Sequence, residues 1–293
     1  MYEQVIFYNH FGAGDVFESR EFVKEWMRLV PARKYCYSHG KNPRILLDIP
    51  EIEFKEITIH MDAMRGVWDD LNGNLYVNTW IGRDGKYVLP GIGCTVEKLY
   101  EMHNDLLSVY DLGKLSRKPI DYITDIDYSF YEIESVTKFI DKHPEEKIFI
   151  DNGNVQSLQA ENFPFTDIIY QVAESHPDKC FIVTHPIPVI IGKEHVSNIY
   201  HTDYITQNYY GFDLNEVSYI STFCSTLIGR NSGPHVFSQV RKNVMDETKK
   251  LSSFTYQYTG SSFVVNTDVK IRKYWSAHTR PDWVVREIEE VLR

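Results

Sequence analysis

Two glycine-containing turns, one in each half of the chain, limit the possible fold more than any other feature of the sequence. The first spans residues 9–15 and the second spans residues 229–235; each follows a strand-like run and precedes a helix-like stretch. Such a turn presents backbone N–H groups and the positive end of a helix dipole to a ligand, usually an anion. The sequence therefore predicts two α/β domains that face each other across a cleft.

Strand-like and helix-like segments alternate along most of the chain. Residues 4–9 have the pattern of a strand, and residues 15–29 have that of a helix with one apolar stripe. In the second half, the apolar runs 147–150 and 180–184 are typical of buried parallel strands. Because this alternation favours parallel sheets built from βαβ units, we expect two Rossmann-like domains.

The predicted domain boundary lies at the end of residues 111–128, which form the least regular stretch of the sequence. We expect an N-terminal domain over residues 1–128 and a C-terminal domain over residues 129–278. A final helix is predicted within residues 279–293, where Pro281 suits the first helical turn. A chain of 293 residues is long enough for two such domains.

Charge and cysteine content argue against several classes of protein. The formal net charge is −10, whereas nonspecific binding of nucleic acid requires a basic surface. The four cysteines form no C-x-x-C pair, which argues against a disulfide framework or a zinc site. We find neither a signal-peptide pattern nor an apolar run near the ~20 residues of a membrane span. We therefore expect a cytoplasmic protein without a nucleic-acid partner, and peripheral membrane contact stays open.

The first turn carries Gly12, Gly14 and Asp15. Glycine lets a backbone approach a ligand closely, so Gly12 and Gly14 are candidates for binding the phosphate of a donor. Asp15 falls at a helix start, where it either caps the helix or accepts a proton from a substrate hydroxyl as a general base. His10, just before the turn, is a candidate for orienting an acceptor. Because no third glycine follows at the right distance, the turn is not the dinucleotide-binding fingerprint.

The second turn carries residues suited to a phosphate. Arg230 offers a guanidinium for bidentate pairing, Ser232 offers a hydroxyl, and Gly233 offers an approachable N–H group. Pro234 suits the first position of a helix that is predicted to run to about residue 249. An ordinary capped turn is the alternative.

Two further turns are expected at the same edge of the second sheet. Segment 151–157 contains Asn152 and Ser157, whose amide and hydroxyl groups suit phosphate or ribose. His185 follows the predicted strand 180–184 and is a further candidate for contact with such a ligand. Open α/β sheets bind ligands at the carboxyl ends of their strands. A polar loop and a structural turn are the alternatives.

These features together resemble the GT-B superfamily of nucleotide-sugar glycosyltransferases, and most of all its bacterial heptosyltransferase-like branch. The resemblance rests on the Gly-x-Gly-Asp turn, on the Gly-x-Asn-Ser-Gly-Pro turn and on the terminal helix, and it spans most of the chain. It implies that residues 1–128 bind the acceptor and that residues 129–278 bind the donor. It also implies that the helix of residues 279–293 returns to the N-terminal domain.

The resemblance implies transfer of a sugar from a nucleotide-diphosphate sugar to a hydroxyl of a glycan or glycolipid. Asp15 would match the catalytic base of an inverting reaction, and Ser232 and Gly233 would match the Thr-Gly pair that holds the donor diphosphate. No cofactor is implied beyond the nucleotide sugar as co-substrate, and a divalent metal is not expected.

The second turn departs from the branch at three positions. Asn231 stands where Asp is usual, Arg230 stands where Pro is common, and His235 follows the proline directly instead of lying further along. All three stay in the predicted donor site, but a heptose donor is not implied. A nucleotide-sugar epimerase and a non-catalytic nucleotide-binding protein remain alternatives. Whether Asp125 and Asp127, spaced like a metal-binding D-x-D, hold a metal is also left open.

Overall fold

The chain is described by a computed structural model over residues 1–57, 65–80, 86, 95–156, 160–208, 212–230, 233–255, 264 and 268–293. It divides into one unit of Met1–Asp127 with Phe263–Asp268 and a second of Tyr128–Ser262 with Val269–Arg293. The N-terminal segment of the first unit ends at Asp127, and the sequence predicts this boundary at residue 128.

The first unit contains a sheet whose described strands are β1 (Tyr2–Asn9), β2 (Ala32–His39), β3 (Ile52–Lys55), β4 (Val67–Asp69) and β5 (Asn74–Asn78). The strands lie in the order β3-β2-β1-β5-β4. All neighbours pair in parallel except β4 with β5, which is antiparallel. Asn9 pairs with His39 at the ends of β1 and β2, so the polar residues that end these strands lie side by side.

The helices described in the first unit are α1 (Ala13–Glu18), α2 (Arg20–Leu29) and α3 (Val96–Val109). The single helix predicted over residues 15–29 is thus divided at Ser19, which ends α1 and begins α2. The Ser19 hydroxyl donates a hydrogen bond to the Val16 carbonyl at 2.8 Å. Serine competes in this way with the regular helical hydrogen bonds, which favours a break at its position.

The second unit contains a sheet whose described strands are β6 (Glu146–Asp151), β7 (Lys179–Val183), β8 (Ile199–His201), β9 (Thr226–Arg230), β10 (Lys250–Phe254) and β11 (Arg272–Ser276). The order is β11-β10-β9-β6-β7-β8, and every neighbouring pair is parallel. The strand order reverses between β6 and β9. In doubly wound sheets, ligands bind outside the carboxyl ends of the strands at this reversal.

The helices described in the second unit are α4 (Glu134–Lys142), α5 (Thr166–Ser175), α6 (Thr202–Thr206), α7 (Leu214–Ser221), α8 (Gly233–Phe237), α9 (Arg241–Val244) and α10 (Pro281–Leu292). The helix predicted from Pro234 to about residue 249 is therefore two short helices. Val240 is extended between them, and the buried side chain of Asn243 donates to the Ser238 carbonyl at 2.8 Å, which stabilises the break. None of the helices described is long and apolar enough to cross a membrane.

Helix α10 packs within the second unit. Its residues Val284, Val285, Ile288 and Leu292 are buried in one apolar cluster with residues of α5 and of the second sheet. This corrects the expectation that the terminal helix uses its apolar face on the N-terminal domain. The spacing of apolar residues identifies the buried face of a helix but not the element that covers it.

Candidate functional site

Polar side chains gather at the carboxyl edge of each sheet. We call the group in the first unit the Asp15 cluster; it comprises His10, Gly12, Asp15, Glu18 and the hydroxyl network of Asn9, Ser19, Tyr37 and Thr79. We call the group in the second unit the Asp151 cluster; it comprises Asp151, Asn152, Gly153, Thr184, His185, Arg230 and His235.

Asp15 lies in the first turn of α1, which begins just after Gly12. Its Oδ2 accepts a hydrogen bond from the Gly12 backbone N–H at 2.6 Å. A Cβ atom on Gly12 would come within 2.9 Å of that oxygen, so the bend of the carboxylate onto the backbone requires glycine. Gly14 lies in the same helical turn. The carboxylate therefore has a fixed position, whether its role is that of a cap or of a base.

The protein environment raises the pKa of Asp15 above its value in water. Burial raises the pKa of Asp15 to about 6, although the hydrogen bond from Gly12 and the charge of Lys41 act in the opposite direction. Glu18 lies one helical turn further on and is 8% exposed. Burial, and then the charge of Asp15, raise the pKa of Glu18 well above its ordinary value. A charge on Asp15 therefore disfavours ionisation of Glu18.

A buried hydroxyl network holds the turn next to Asp15. Tyr37 Oη lies 2.8 Å from Ser19 Oγ and 2.6 Å from Thr79 Oγ1. Asn9 donates to Thr79 Oγ1 at 3.3 Å and accepts from the Phe11 backbone N–H at 2.8 Å. These bonds join the ends of β1, β2 and β5 to the start of α2. Buried networks whose members are hydrogen-bonded rigidify the backbone that they connect.

Two histidines end strands of the first sheet. His10 is exposed directly after β1, and its ring meets the Tyr8 ring edge-on at 5.8 Å. His39 ends β2 and is buried, and its Nδ1 accepts from the Lys41 backbone N–H at 3.0 Å. Burial lowers the pKa of His39 to about 4, so its ring is neutral near pH 7. Of these two rings, only that of His10 is open to a ligand in solution.

Asp151 is the centre of the cluster in the second unit. Its Oδ1 accepts from the Gly153 N–H at 3.1 Å and from Thr184 Oγ1 at 2.8 Å, and its Oδ2 accepts from the His235 N–H at 3.0 Å. Burial raises the pKa of Asp151, and these three donors oppose that change by stabilising the carboxylate. The side chain thereby joins the ends of β6 and β7 to the first turn of α8.

Arg230 ends β9 and is 1% exposed. Its guanidinium donates to the carbonyl oxygens of Gly153, Phe163 and Asn152 at 3.0, 2.9 and 2.9 Å. The rings of Phe163 and Phe165 lie 4.9 Å from its Cζ atom. The expectation that Arg230 pairs with a phosphate is therefore corrected, because its guanidinium is buried and holds the loop after β6.

His235 was also expected to contact the donor, but its ring is fully buried. Its Nε2 lies 2.7 Å from Ser253 Oγ, and burial lowers the pKa of His235 to about 3. A Cβ atom on Gly229 would come within 2.9 Å of the side chains of both His235 and Asp151, so only glycine fits there. This packing corrects the expectation, since it leaves the ring of His235 no access to a ligand.

The remaining predicted donor residues have different positions. Gly233 begins α8 with a φ of +48°, a conformation that favours glycine. The other three of these residues, Ser157, Asn231 and Ser232, lie outside the described residues. The sequence predicted a phosphate at this helix terminus, but the N–H of His235 in the first turn of α8 already donates to the carboxylate of Asp151.

Asn152 and His185 connect the loops after β6 and β7. Asn152 Oδ1 accepts from the His185 N–H at 2.8 Å, and Asn152 Nδ2 donates to the His185 carbonyl at 2.9 Å. The His185 imidazole is exposed, and its Nδ1 lies 3.0 Å from Thr184 Oγ1. A Cβ atom on Gly153 would collide with Cε1 of the ring. Of the donor-site side chains that were predicted and are described, that of His185 is the most exposed.

The D-x-D residues Asp125 and Asp127 are exposed near the end of the first unit. The Asp125 carbonyl accepts from Lys24 Nζ at 3.2 Å, and the Asp127 N–H donates to Asp48 Oδ2 at 3.3 Å. Within the part of the chain that the structure describes, no group of three or more His, Cys, Asp or Glu side chains is arranged to hold a metal ion.

The sequence does not single out three of the contributing residues as functional candidates. Asp151 and Thr184 each follow a strongly apolar run that forms a buried strand, and a polar residue at that position is a usable signal in a parallel sheet. Glu18 lies three residues after Asp15 and so on the same helical face. Its burial depends on tertiary packing, which the sequence does not reveal.

No family model matches the chain, and neither does any curated protein. Among solved structures, the chain is similar to the glycosyl transferase family 9 protein from Veillonella parvula DSM 2008, with a TM-score of 0.57, 11% identity and coverage of 99% of this chain and 97% of that one. It is also similar to E. coli ADP-heptose LPS heptosyltransferase II, with a TM-score of 0.52, 9% identity and coverage of 99% and 98%.

A third similar structure is E. coli heptosyltransferase WaaC with ADP, with a TM-score of 0.50, 10% identity and coverage of 98% of this chain and 97% of that one. At these identities the similarity demonstrates the fold. The prediction of two Rossmann-like units of the GT-B type is thereby confirmed, and the heptosyltransferase-like resemblance is confirmed as a similarity of fold.

Proposed function

We propose that the protein is a glycosyltransferase that moves a sugar from a nucleotide-diphosphate sugar to a hydroxyl group of a glycan or glycolipid. The three solved structures named above are glycosyltransferases, and one of them contains ADP. One fold hosts many activities, so a shared fold alone does not assign an activity to this chain. The observation that carries the proposal is the carboxylate of Asp15, held on the Gly12 N–H with a pKa of about 6.

Asp15 is the proposed general base. A base acts best when its pKa lies near the working pH, and burial brings Asp15 close to that range. The acceptor oxygen bonds to the anomeric carbon while the bond from that carbon to the diphosphate oxygen breaks with its electron pair. The hydroxyl proton passes to the carboxylate of Asp15. Attack from the side opposite to the leaving group inverts the configuration of the sugar.

Glu18 supports this role of Asp15 without touching the substrate. Burial, and then the charge of Asp15, raise its pKa well above the ordinary value, so ionisation of Glu18 is disfavoured while Asp15 is charged. A pair of neighbouring carboxyl groups with separated pKa values supplies one acid and one base at the same pH. The burial of Glu18 therefore favours placing the negative charge of the pair on Asp15.

We propose that the donor binds at the carboxyl edge of the second sheet, next to the reversal of strand order between β6 and β9. The exposed ring of His185, fixed by Asn152, is suited to a phosphate group at this edge. By the same resemblance, Gly233 together with Asn231 and Ser232 contributes to holding the diphosphate. Arg230 and Asp151 shape the loops of the site, and no step passes through a metal ion.

A donor and acceptor screen tests the proposal. The purified protein is incubated with a panel of nucleotide-diphosphate sugars and with glycan or glycolipid acceptors, and release of nucleoside diphosphate is measured with mass analysis of the acceptor. We expect one nucleotide sugar to raise the melting temperature, since it binds only the folded state. We also expect release that depends on an acceptor, with the sugar mass added to it.

Two results would contradict this function. The absence of both stabilisation and release with every nucleotide sugar would exclude a donor site of this kind. Conversion of the donor sugar without any acceptor would instead identify a nucleotide-sugar epimerase, the alternative that the sequence left open.

A further inference from the structure

A chain of hydrogen bonds leads from the exposed ring of His185 to the buried carboxylate of Asp151. His185 Nδ1 lies 3.0 Å from Thr184 Oγ1, and Thr184 Oγ1 donates to Asp151 Oδ1 at 2.8 Å. Thr184 is 8% exposed and Asp151 is 2% exposed, so the bond between these two side chains is shielded from water. We call the three side chains the His185 relay.

The chemistry of the hydroxyl fixes the direction of the relay. A threonine hydroxyl has one proton to donate. The Asp151 carboxylate, at 2.8 Å, accepts that proton in preference to Asn152 Oδ1 at 3.3 Å, because it is closer and is stabilised as an anion by the N–H groups of Gly153 and His235. Thr184 Oγ1 must then accept from His185 Nδ1, which therefore carries a proton.

The backbone around the relay keeps the ring in place. Asn152 forms hydrogen bonds with both the N–H and the carbonyl of His185. Gly153 packs so close that a Cβ atom would collide with Cε1 of the ring. With Nδ1 bound to Thr184, the other ring nitrogen, Nε2, is the atom that the exposed imidazole offers to a ligand.

We propose that the His185 relay orients the imidazole so that its Nε2–H donates a hydrogen bond to a phosphate oxygen of a bound nucleoside diphosphate. This inference rests on the proposed function. His185 is the residue that contacts the ligand, and Thr184 and Asp151 are positioning residues. When the bond between the sugar and the diphosphate breaks, the released electron pair stays on a phosphate oxygen, and a fixed positive donor stabilises that charge.

Because Nδ1 is already protonated, the neutral ring offers only a lone pair at Nε2. Donation of a hydrogen bond from Nε2 to a phosphate oxygen therefore requires a second proton on the ring. The other charged or titratable groups that face Asp151 are Arg230 from β9 and His235 from α8. Burial lowers the pKa of His235 to about 3, so that ring stays neutral near pH 7. Proton uptake on binding is thus assigned to His185.

Calorimetry with a nucleoside diphosphate measures this uptake, when titrations are repeated in buffers that differ in ionisation enthalpy. The full chain is used, as wild type and as Thr184→Val, Thr184→Ser, His185→Gln and His195→Gln. His195 is an exposed histidine of the same unit that pairs with Glu174, and it serves as the matched control.

For the wild type, Thr184→Ser and His195→Gln we expect the same affinity and the same proton uptake. For Thr184→Val and His185→Gln we expect affinity to fall about tenfold, the usual effect of losing a hydrogen bond to a charged group, and proton uptake to disappear. If Thr184 has only a structural role, Thr184→Val should weaken binding without changing the number of protons taken up on binding.

Nitrogen NMR of the ligand-free protein tests the relay separately from the donor site. We expect His185 to be protonated at Nδ1 in the wild type and in Thr184→Ser, and to lose this preference in Thr184→Val. An unchanged tautomer in Thr184→Val, or unchanged proton uptake in His185→Gln, would overturn the inference. Failure of the wild type to bind every nucleoside diphosphate would overturn both the phosphate contact and the proposed function.

Discussion

The carboxylate of Asp151 accepts the backbone N–H of His235 at 3.0 Å, so a side chain from β6 caps the first turn of α8. The sequence predicted that this turn would bind a phosphate. An internal carboxylate instead satisfies that N–H group and joins three elements at the point where the strand order reverses. Among the described side chains of the predicted donor site, that of His185, on the loop after β7, is therefore the most accessible to a ligand.

Asp151→Asn should destabilise the second unit. The amide group of asparagine has the shape of a carboxylate, but it places an NH₂ group against one of the donors that now point at Asp151. An unsatisfied buried donor costs about 1–3 kcal/mol. Urea unfolding should show this loss relative to Asp125→Asn, which changes an exposed carboxylate. Equal stability of the two variants would show that Asp151 does not hold these loops together.

Arg230→Lys should lower stability in the absence of any ligand. A lysine cannot reach the carbonyls of Gly153, Phe163 and Asn152 together, and we expect a loss of about 2–3 kcal/mol for these buried bonds. The variant Arg286→Lys, in α10, serves as the control. If Arg230 instead bound phosphate, unfolding of the ligand-free protein would be unchanged and only affinity for the nucleoside diphosphate would fall.

Gly12→Ala should reduce transfer at least tenfold with little effect on folding. The backbone φ of −73° suits alanine, but the added methyl group would lie 2.9 Å from Asp15 Oδ2 and would displace the carboxylate. Misplacement of a reacting group by about 1 Å can cost about 100-fold in rate. Gly40→Ala is the matched control, because a Cβ atom there meets nothing within 4 Å. Equal rates for the two variants would mean that the Asp15 position is unimportant.

His103 is one of the buried histidines that should make stability fall between pH 6.5 and pH 5. Burial lowers its pKa to about 3 in the folded state, and its Nδ1 accepts from Trp26 Nε1 at 3.0 Å. In the unfolded chain the His103 side chain takes up a proton near pH 6.5. The free energy of unfolding therefore falls by about 2 kcal/mol over this range.

Urea unfolding at several pH values measures the effect. The variant His103→Gln should show a shallower loss of stability on acidification than the wild type, whereas His195→Gln, which changes an exposed histidine, should show the same loss. A His103→Gln variant with the full wild-type slope would exclude His103 as a source.

The periodicity of apolar residues was sufficient to predict the two α/β units, because alternation of buried strands and amphipathic helices is a local property of the chain. It did not predict the break at Ser19 or the break between α8 and α9, where side chains form hydrogen bonds with the backbone. Those bonds are also local, but their strength depends on burial, which only the folded chain determines.

The candidate site was predicted less completely than the fold. The glycine turns and the polar residues after β6 and β7 lie at the edges of the sheets as expected. Arg230 and His235 were expected to face the ligand, yet both are buried, because the side chain of Asp151 and the loop after β6 provide partners for them. Which partner a polar residue finds is a tertiary property.

The role of Asp15 as the base is tested by the pH dependence of transfer by the wild type and by Asp15→Asn. We expect wild-type kcat to decline below a pKa of about 6, because a protonated Asp15 cannot take up the proton of the acceptor hydroxyl. Asp15→Asn should reduce kcat by about 100- to 10,000-fold and remove this decline, while donor affinity stays within about twofold. An Asp15→Asn variant with wild-type kcat and the same pH profile would contradict the assignment of Asp15 as the base.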